Sequence, residues 1–433
     1  MTNLEIGFLC LGASILLIVS RMPIGLALGA PALVGLAVIR GLNPALATVR
    51  NIPFEFAANF EISALPMFIL MGTIALNTKL TTSLFDAARI WLGRLPGGLA
   101  IATNYACAGF AAASGSSLAT TIAMGRLAVP EMRRHNYDPG LATGVIAAAG
   151  TLGSLIPPSI LMVIYAIFAE VSIPKLFLAG FLPGLLTAFV YMVMILVRCK
   201  LNPRLAPVAD TPPTAREKWQ ALVEVWPLPA LILGVIGSIY TGVATATEAA
   251  ALGVVLSIVI AAVKRSITWA VLWSSLRESI HSTVTLFFIA VGAVMMTRLM
   301  ALCGVPQFLS AVMQQWSVDP LALVLATSVL YLILGCLLDP LGMVFLTLPI
   351  VLPMFKAQNL DLIWFGILLI KYVEIGLITP PVGLNVFAVK SMNPDIPMGV
   401  VFRGVTWFIA CEIVVLALLI AFPEISLFLP STM

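Results

Sequence analysis

The sequence predicts an all-α integral membrane protein, and three features of the chain support this class. Hydrophobic residues occupy 61% of the 433 positions and charged residues only 10%, whereas about a quarter of the residues in a soluble domain are charged. Long apolar runs recur along the chain and alternate with short polar segments. The order of these runs in the first half of the chain repeats in the second half. Such runs form helices because every backbone N–H and C=O must be satisfied within the hydrocarbon.

The first apolar segment, residues 4–20, is interpreted as a retained membrane helix. Leu9 to Val19 resembles the hydrophobic region of a secretory signal, but Glu5 stands where a signal carries basic residues, and Arg21-Met22-Pro23 is a poor cleavage site. At this chain length, ten or more crossings are possible. Other runs near the spanning length are 24–39, 228–239, 249–263 and 404–422.

Cysteine spacing and net charge exclude several other classes. No two cysteines have the CxxC spacing, so the sequence suggests neither a disulfide framework nor a metal site. The net charge of +4 arises from basic residues between apolar segments, which is typical of membrane topology, and no nucleic-acid partner is expected. The six cysteines are Cys10, Cys107, Cys199, Cys303, Cys336 and Cys411.

An internal repeat divides the chain into two halves. One constant shift along the chain places Pro157-Pro158 on Pro380-Pro381 without a gap, and the apolar segments obey the same shift. We therefore predict a first repeat at 1–200, a cytoplasmic linker without a fold of its own at 201–222 and a second repeat at 223–433. Further matches are Pro130 with Pro353, Asn136 with Asn359, Asp138 with Asp361, Gly153 with Gly376, Leu161 with Leu384 and Val163 with Val386.

Each half is predicted to contain a re-entrant hairpin and a broken helix. The segment 97–130 has Ser114-Gly115-Ser116-Ser117 at its centre, and 320–353 is its counterpart. The segment 140–168 is interrupted by glycines and by Pro157-Pro158, which removes helical hydrogen bonds. Each half would then have five crossings and one hairpin. Because five is an odd number, the second half would have the opposite orientation in the membrane, as in secondary transporters with inverted-topology repeats.

The distribution of Lys and Arg predicts the orientation in the membrane. With both termini outside the cell, only Arg40, Arg50, Lys175 and Lys356 of the 23 basic residues face outward, and Arg126, Arg298 and Lys371 fall within membrane segments. The other sixteen face the cytoplasm, in agreement with the positive-inside rule.

Hairpin tips facing helix breaks predict the binding sites. Unpaired carbonyls and helix N-termini would meet there, and hard cations such as Na⁺ favour oxygen ligands. The structural alternatives are helix capping or small-residue packing for the Ser and Thr tips and a simple kink for Pro157-Pro158. For Arg126 the alternative is a topology anchor at the cytoplasmic side. The predicted ion-binding residues are Ser114, Gly115, Ser116, Gly153, Pro157, Asp339, Gly376, Thr379 and Gly383, and the predicted substrate-binding residues are Ser117, Thr120, Arg126, Pro158, Ser159, Pro381 and Asn385.

Four charged residues fall within apolar stretches. A charge at membrane depth costs at least about 2.5 kcal/mol on insertion scales, so Asp339, Glu248, Glu374 and Lys371 are functional candidates. The alternatives are a structural pair, in particular between Lys371 and Glu374, and a helix-end position.

The ordered motifs resemble those of the large membrane subunit of TRAP (tripartite ATP-independent periplasmic) transporters over nearly the whole chain. One departure is Ala246, where proline is expected and where the repeat mate is Pro23; this puts the local helix start in question. The motifs that carry the resemblance are Gly115-Ser116-Ser117, Ala119-Thr120, Pro130-Glu131-Met132, Tyr137, Gly150-Thr151-Leu152-Gly153, Ile156-Pro157-Pro158-Ser159, Ala179-Gly180, Pro183-Gly184, Asp339-Pro340, Pro349, Pro353 and Ile378-Thr379-Pro380-Pro381-Val382-Gly383-Leu384-Asn385.

The resemblance implies a function that the residues alone do not establish. It implies Na⁺-coupled import of a carboxylate, such as a C4-dicarboxylate or sialic acid, across the bacterial inner membrane. It also implies a periplasmic substrate-binding protein, a small four-helix membrane subunit on a separate chain, and an elevator mechanism. In that mechanism 97–170 and 320–391 would move as a transport body against the other helices.

Three other interpretations are weighed against this one. A stand-alone Na⁺- or H⁺-coupled carboxylate carrier would need no binding protein. An intramembrane enzyme is disfavoured because no His shares a segment with the serine tips, and no HExxH or GxSxG context occurs. An ABC-type permease would not need two hairpins facing two breaks.

Overall fold

The computed structural model describes residues 1–78, 80, 82–207, 214–315 and 319–433, which fold predominantly into helices. Within these residues, seven helices are long and apolar enough to cross a bilayer, or up to nine if each of two bent pairs is one span. The prediction of an all-helical membrane protein is therefore confirmed. The helices of the first half are α1 (Asn3–Val19), α2 (Ile24–Arg40), α3 (Leu42–Ala57), α4 (Ala64–Asn77), α5 (Thr82–Leu92), α6 (Gly98–Ser114), α7 (Ser117–Arg134), α8 (Pro139–Ala149), α9 (Leu152–Leu155), α10 (Ile160–Ala169) and α11 (Ile173–Leu201).

The second half follows a comparable order. Its first helix begins in the predicted linker and ends two residues beyond it, and its longest helix has 35 residues. The helices are α12 (Ala215–Glu224), α13 (Pro227–Tyr240), α14 (Ala246–Val263), α15 (Trp269–Cys303), α16 (Val305–Gln315), α17 (Pro320–Leu337), α18 (Pro340–Ala357), α19 (Leu362–Ile378), α20 (Leu384–Met392), α21 (Met398–Ala421) and α22 (Glu424–Ser431).

Helix breaks occur where the sequence predicts them. The chain turns between α6 and α7 at Gly115 and Ser116, and the two helices pack against each other. The segment 140–168 divides into α8, α9 and α10, and its second-half counterpart divides into α19 and α20. By length and composition α17 and α18 are each candidate spans, so the re-entrance of the hairpins stays a prediction.

The linker is more ordered than expected. Residues 208–213 lie outside the described residues, but α12 forms directly after them. The Thr214 side chain accepts a hydrogen bond from the Glu217 N–H, and the Glu217 carboxylate accepts one from the Thr214 N–H, which is a capping box. Hydrogen bonds from the Thr214 backbone and hydroxyl hold the pKa of Glu217 below its usual range. The segment therefore contains the start of a helix that the sequence did not predict, while its role as a linker between the halves stays a prediction.

A second capping box settles the questions raised at Ala246 and Glu248. Helix α14 begins at Ala246 without proline, because Thr245 accepts from the Glu248 N–H and Glu248 accepts from the Thr245 N–H. Glu248 is exposed at the helix start. Of the two interpretations, the structure therefore favours the helix-end position for Glu248.

The helices around the hairpins pack as one body. Helix α21 packs along α8, and α11 packs against α6, α19 and α21. The contact between α8 and α21 is close: a Cβ atom on Gly404 would lie 2.0 Å from the carbonyl oxygen of Gly140. Helices α1 to α4 and α13 to α15 form a second set, which meets the first through α4 with α6 and α15 with α18.

Candidate transport site

The first hairpin tip is shaped by a glycine. Helix α6 ends at Ser114, and Gly115 has a φ of +61°, in the left-handed region that favours glycine. A Cβ atom there would lie 2.6 Å from the carbonyl oxygen of Pro158. The Ser116 side chain then begins α7 by accepting a hydrogen bond from the Ala119 N–H at 3.4 Å. The turn and its close approach to the break both require residue 115 to lack a side chain.

The tip contacts the break between α9 and α10. The Ile160 N–H donates to the Gly115 carbonyl at 3.2 Å. The Ser117 hydroxyl donates to the Thr151 carbonyl at 3.0 Å and lies 2.5 Å from the Ser154 hydroxyl. A Cβ atom on Gly153 would lie 2.6 Å from the Ser116 carbonyl group. The structure therefore brings the predicted tip and the predicted break into direct contact.

Protein partners already satisfy most polar groups at this first site. The hydroxyls of Ser114 and Thr120 share a hydrogen bond of 2.9 Å, and Thr120 also donates to the Ser116 carbonyl. Ser159 donates to the Ser154 carbonyl at 2.6 Å, and its side chain caps α10. Pro157 and Pro158 are buried beside it. Ion coordination here would use the remaining lone pairs of oxygens that the fold has already positioned.

Thr121 is a residue that the site prediction did not include. Its Oγ1 atom is buried without a hydrogen-bond partner among the described residues. A Cβ atom on Gly150 would lie 1.9 Å from this oxygen, so the hydroxyl faces the end of α8 at the break. Buried hydroxyls are normally paired, which makes the unpaired oxygen a further candidate ligand. The run Thr120-Thr121 was a sequence signal for it.

Asp339 begins the second arm of the second hairpin. Its carboxylate accepts hydrogen bonds from the Leu341 N–H at 3.2 Å and from the Gly342 N–H at 3.3 Å. These are the contacts of a helix N-cap. The side chain is partly buried. Asp339 therefore combines a structural role with a negative charge at the tip, and its role in ion binding stays a prediction.

A small cavity separates this tip from the second break. The volume of the cavity is about 10 Å³, which is close to the minimum for one water molecule. Helices α17 and α19 approach closely beside it, since a Cβ atom on Gly376 would lie 2.7 Å from the Gly335 Cα. The lining residues are Gly335, Leu338, Pro340, Val373, Gly376, Leu377, Val382, Gly383 and Leu384.

The other predicted residues of the second site point elsewhere. The Thr379 hydroxyl donates to the Ile375 carbonyl at 2.6 Å, at the end of α19. Asn385 is fully buried and donates from Nδ2 to the Ala147 carbonyl of α8 at 3.1 Å, while its Oδ1 has no partner among the described residues. Asn385 thus joins the second break to the first half. Pro380 and Pro381 are exposed, unlike Pro157 and Pro158.

Arg126 lies away from the first tip. It is nine positions beyond Ser117 on the same helix, which corresponds to about 14 Å along the axis. Its side chain is exposed and makes no hydrogen bond or ion pair with a described residue. The structure does not bring Arg126 together with the tip, and its contact with substrate stays a prediction. Among the described residues, no group of three His, Cys, Asp or Glu side chains could hold a metal ion.

Helical hairpins that face interrupted helices in an all-helical membrane fold are typical of secondary transporters. The chain belongs to the family described as "Tripartite ATP-independent periplasmic transporter, DctM component", whose model matches residues 11–425. It is thus a large permease component of that class. The predicted family and the absence of an enzymatic role are confirmed.

Curated relatives and a solved structure agree with this assignment. The chain is 34% identical over 381 residues to the C4-dicarboxylate TRAP transporter large permease protein DctM of Pseudomonas aeruginosa, covering 87% of this chain and 88% of the relative. It is 31% identical over 375 residues to the sialic acid TRAP transporter large permease protein SiaM of Vibrio cholerae, covering 86% and 87%. The crystal structure of the Alcanivorax borkumensis YdaH transporter has the same general fold, with a TM-score of 0.61, 15% identity and 90% coverage of both chains.

Proposed function

We propose that this chain is the ion-coupled permease of a three-part system that imports a small organic acid across the bacterial inner membrane. The observation that carries the proposal is the contact between the Ser114 to Ser117 tip and the break at 150–159, within a chain of the DctM family. A periplasmic binding protein delivers the substrate, and a small four-helix membrane subunit is the third partner. The relatives named for C4-dicarboxylates and sialic acid favour a carboxylate substrate.

Inverted repeats are part of the proposal, and paired local structures support them. Asn136 and Asn359, which are repeat mates, have positive φ values of 56° and 53°. Two residues later, Asp138 caps α8 and its mate Asp361 caps α19. The first residues of α8 and α19 are related by the same shift. Two units that share such turns and caps, each with an odd number of crossings, would lie in opposite orientations with both termini in the periplasm.

An elevator movement agrees with the packing of the hairpins. The tip of each hairpin packs on the broken helix of its own half, and Asn385 hydrogen bonds across the halves, so these elements form a unit. Helices α11 and α21 pack on the same unit. We therefore assign them to the transport body together with 97–170 and 320–391, while α1 to α4 and α13 to α15 form the scaffold.

Na⁺ is the proposed coupling ion. The tips and breaks offer carbonyl and hydroxyl oxygens, which are hard ligands suited to such a cation. The first ion would lie near Ser114, Gly115, Ser116, Gly153 and Pro157. The second would use the cavity at Gly376 and Gly383, with Asp339 and Thr379 beside it, and the substrate would bind between the two sites.

Reconstitution tests the proposal. Proteoliposomes containing this chain and its small subunit should take up a carboxylate when given both a Na⁺ gradient and the matching binding protein. A panel of binding proteins with dicarboxylate and sialic acid ligands would identify the substrate. Uptake that persists without any binding protein would instead support a stand-alone carrier, and uptake driven by a proton gradient alone would exclude Na⁺ as the coupling ion.

A further inference from the structure

A fully buried charge cluster lies within the proposed transport body. The Lys371 ammonium on α19 donates to Glu374 Oε2 at 2.7 Å and to the hydroxyl of Thr187 on α11 at 3.1 Å. It also forms an ion pair with Glu412 Oε2 of α21. The side chains of Lys371, Glu374 and Glu412 are all 0% exposed. The sequence identified the pair within α19, but the third member lies on a separate helix that only the fold brings into contact.

The two carboxylates have unequal surroundings. Glu412 Oε1 accepts a hydrogen bond from the Tyr191 hydroxyl of α11, and Glu412 Oε2 faces Lys371 in an ion pair, although it accepts no hydrogen bond among the described residues. Glu374 Oε2 faces Lys371, but Glu374 Oε1 is buried and has no hydrogen-bond partner among the described residues. An unpaired carboxylate oxygen is more costly to bury than an unpaired neutral oxygen. Glu374 is therefore the less favourable place for a negative charge.

The cluster has no counterpart in the first half. The repeat mates of Lys371, Glu374 and Glu412 are Ala148, Thr151 and Phe189, none of which carries a charge. The duplicated architecture therefore does not require these three charged residues. They connect α19 and α21 of the second half to α11 of the first.

Counting charges gives an imbalance. One ammonium and two carboxylates have a net charge of −1, and burial of an uncompensated charge is strongly unfavourable. Besides Tyr191, the titratable group that faces the cluster is the Cys411 thiol. No other titratable group on the helices packed against α11, α19 and α21 contacts the cluster within the described residues. The titratable groups on these helices that do not contact the cluster are Tyr105 and Cys107 of α6, Tyr165 of α10, Lys175, Arg198, Cys199 and Lys200 of α11, Tyr331 and Cys336 of α17, Lys356 of α18, Tyr372 of α19, Lys390 of α20, Arg403 of α21 and Glu424 of α22.

We propose that Lys371, Glu374, Glu412 and Tyr191 form a buried proton-binding site that holds one proton, located on Glu374. Lys371 then compensates the charge of Glu412, and the cluster is neutral. The benefit for transport rests on the proposed elevator function: a neutral cluster adds no net charge to a body that moves through the membrane potential. The proton itself can be measured without any transport assay, so failure of the two proposals can be distinguished.

Infrared difference spectroscopy on the reconstituted chain tests the site, because a protonated carboxyl has a C=O stretch separate from the amide bands. We expect this band in the wild-type protein at neutral pH in Na⁺-free buffer and in Na⁺ buffer. Glu374→Gln and Glu412→Gln should each remove one carboxyl band, since either change leaves one cation with one anion. Lys371→Met should add a band. Glu248→Gln, at an exposed capping residue, is the matched control and should leave the protonated-carboxyl region of the spectrum unchanged.

Three results would overturn the proposal. The first is a wild-type spectrum without a carboxyl band from the cluster. This would be recognised because the carboxyl region of the wild-type spectrum would match that of both Gln variants. The second is a band that survives in both Gln variants. The third is a band that is present without Na⁺ and lost with it, which would assign the site to a metal cation. The Gln variants preserve side-chain shape, and a single symmetric peak in gel filtration would establish that they are folded, so the test does not depend on Lys371→Met.

Discussion

The Ser117 hydroxyl lies 2.5 Å from the Ser154 hydroxyl and donates to the Thr151 carbonyl at 3.0 Å, which links the tip of the first hairpin to the helix break it faces. Both serines are buried. This contact joins two separate segments of the chain and gives the first candidate site its shape. It also suggests how substitutions at the tip can separate structural effects from effects on ion binding.

Substitution of Ser116 tests the first ion site. Ser116→Ala removes an N-cap, which costs about 1 kcal/mol in stability, and also removes a proposed Na⁺ ligand. We expect a higher Na⁺ concentration for half-maximal uptake, by roughly tenfold if one ligand contributes about 1.4 kcal/mol. Ser172→Ala is the control, because Ser172 caps α11 in the same way and lies outside the site. Equal Na⁺ dependence in both variants would remove Ser116 from the ion site.

Asp339→Asn separates capping from charge. Asn is about as good an N-cap as Asp, so the melting temperature should change little while the Na⁺ dependence of uptake weakens. Asp361→Asn serves as the comparison, since Asp361 caps α19 through the same kind of contacts. If Asp339→Asn has the same Na⁺ dependence of uptake as the wild type, Asp339 is only a capping residue and not an ion ligand.

Gly376→Ala tests the cavity beside the second break. The added methyl group would lie 2.7 Å from the backbone of Gly335, so α17 and α19 must separate. Overpacking of this kind costs about 1–3 kcal/mol, and we expect lower thermal stability and reduced uptake. Gly237→Ala is expected to stabilise the chain slightly, by about 0.4–1 kcal/mol, because nothing lies within 4 Å of the added atom in α13. Similar melting temperatures for the two variants would contradict the close packing at Gly376.

Asn385→Ala tests the connection between the halves. The change leaves the Ala147 carbonyl without its side-chain donor, and loss of a buried partner costs about 1–3 kcal/mol. The melting temperature should fall, and limited proteolysis should become faster. Asn393→Ala removes a bond to the carbonyl of Val389, which is local to α20, and should have a smaller effect on uptake. If uptake is reduced equally in both, the bond across the halves has no special role.

The sequence predicted the interruptions because their causes are local. Gly115 allows the left-handed turn, Ser116 caps the following helix, and the paired prolines prevent a continuous helix. The repeat shift also predicted equal features in both halves, and the two Asp caps follow it. These features depend on residues within one turn of each other, which is why they can be inferred from a single chain.

Features that depend on tertiary packing were missed. Glu412 lies in an apolar helix, and only the fold places it against Lys371. Asn385 was expected at the second site, yet its amide is bonded to α8, because the packing of α20 turns it that way. For Glu248 the sequence left a functional charge and a helix-end position open, and the contact with Thr245 makes it a capping residue. Local composition does not determine which helix face meets which partner.

The unequal exposure of the two proline pairs has a consequence for the state that this fold represents. Pro157 and Pro158 are covered, while Pro380 and Pro381 are open to the surface. In this conformation the proline pair of the first break is therefore closed to the surface, and that of the second break is accessible. A cysteine introduced at position 381 should react with a water-soluble thiol reagent, and one at 158 should be shielded.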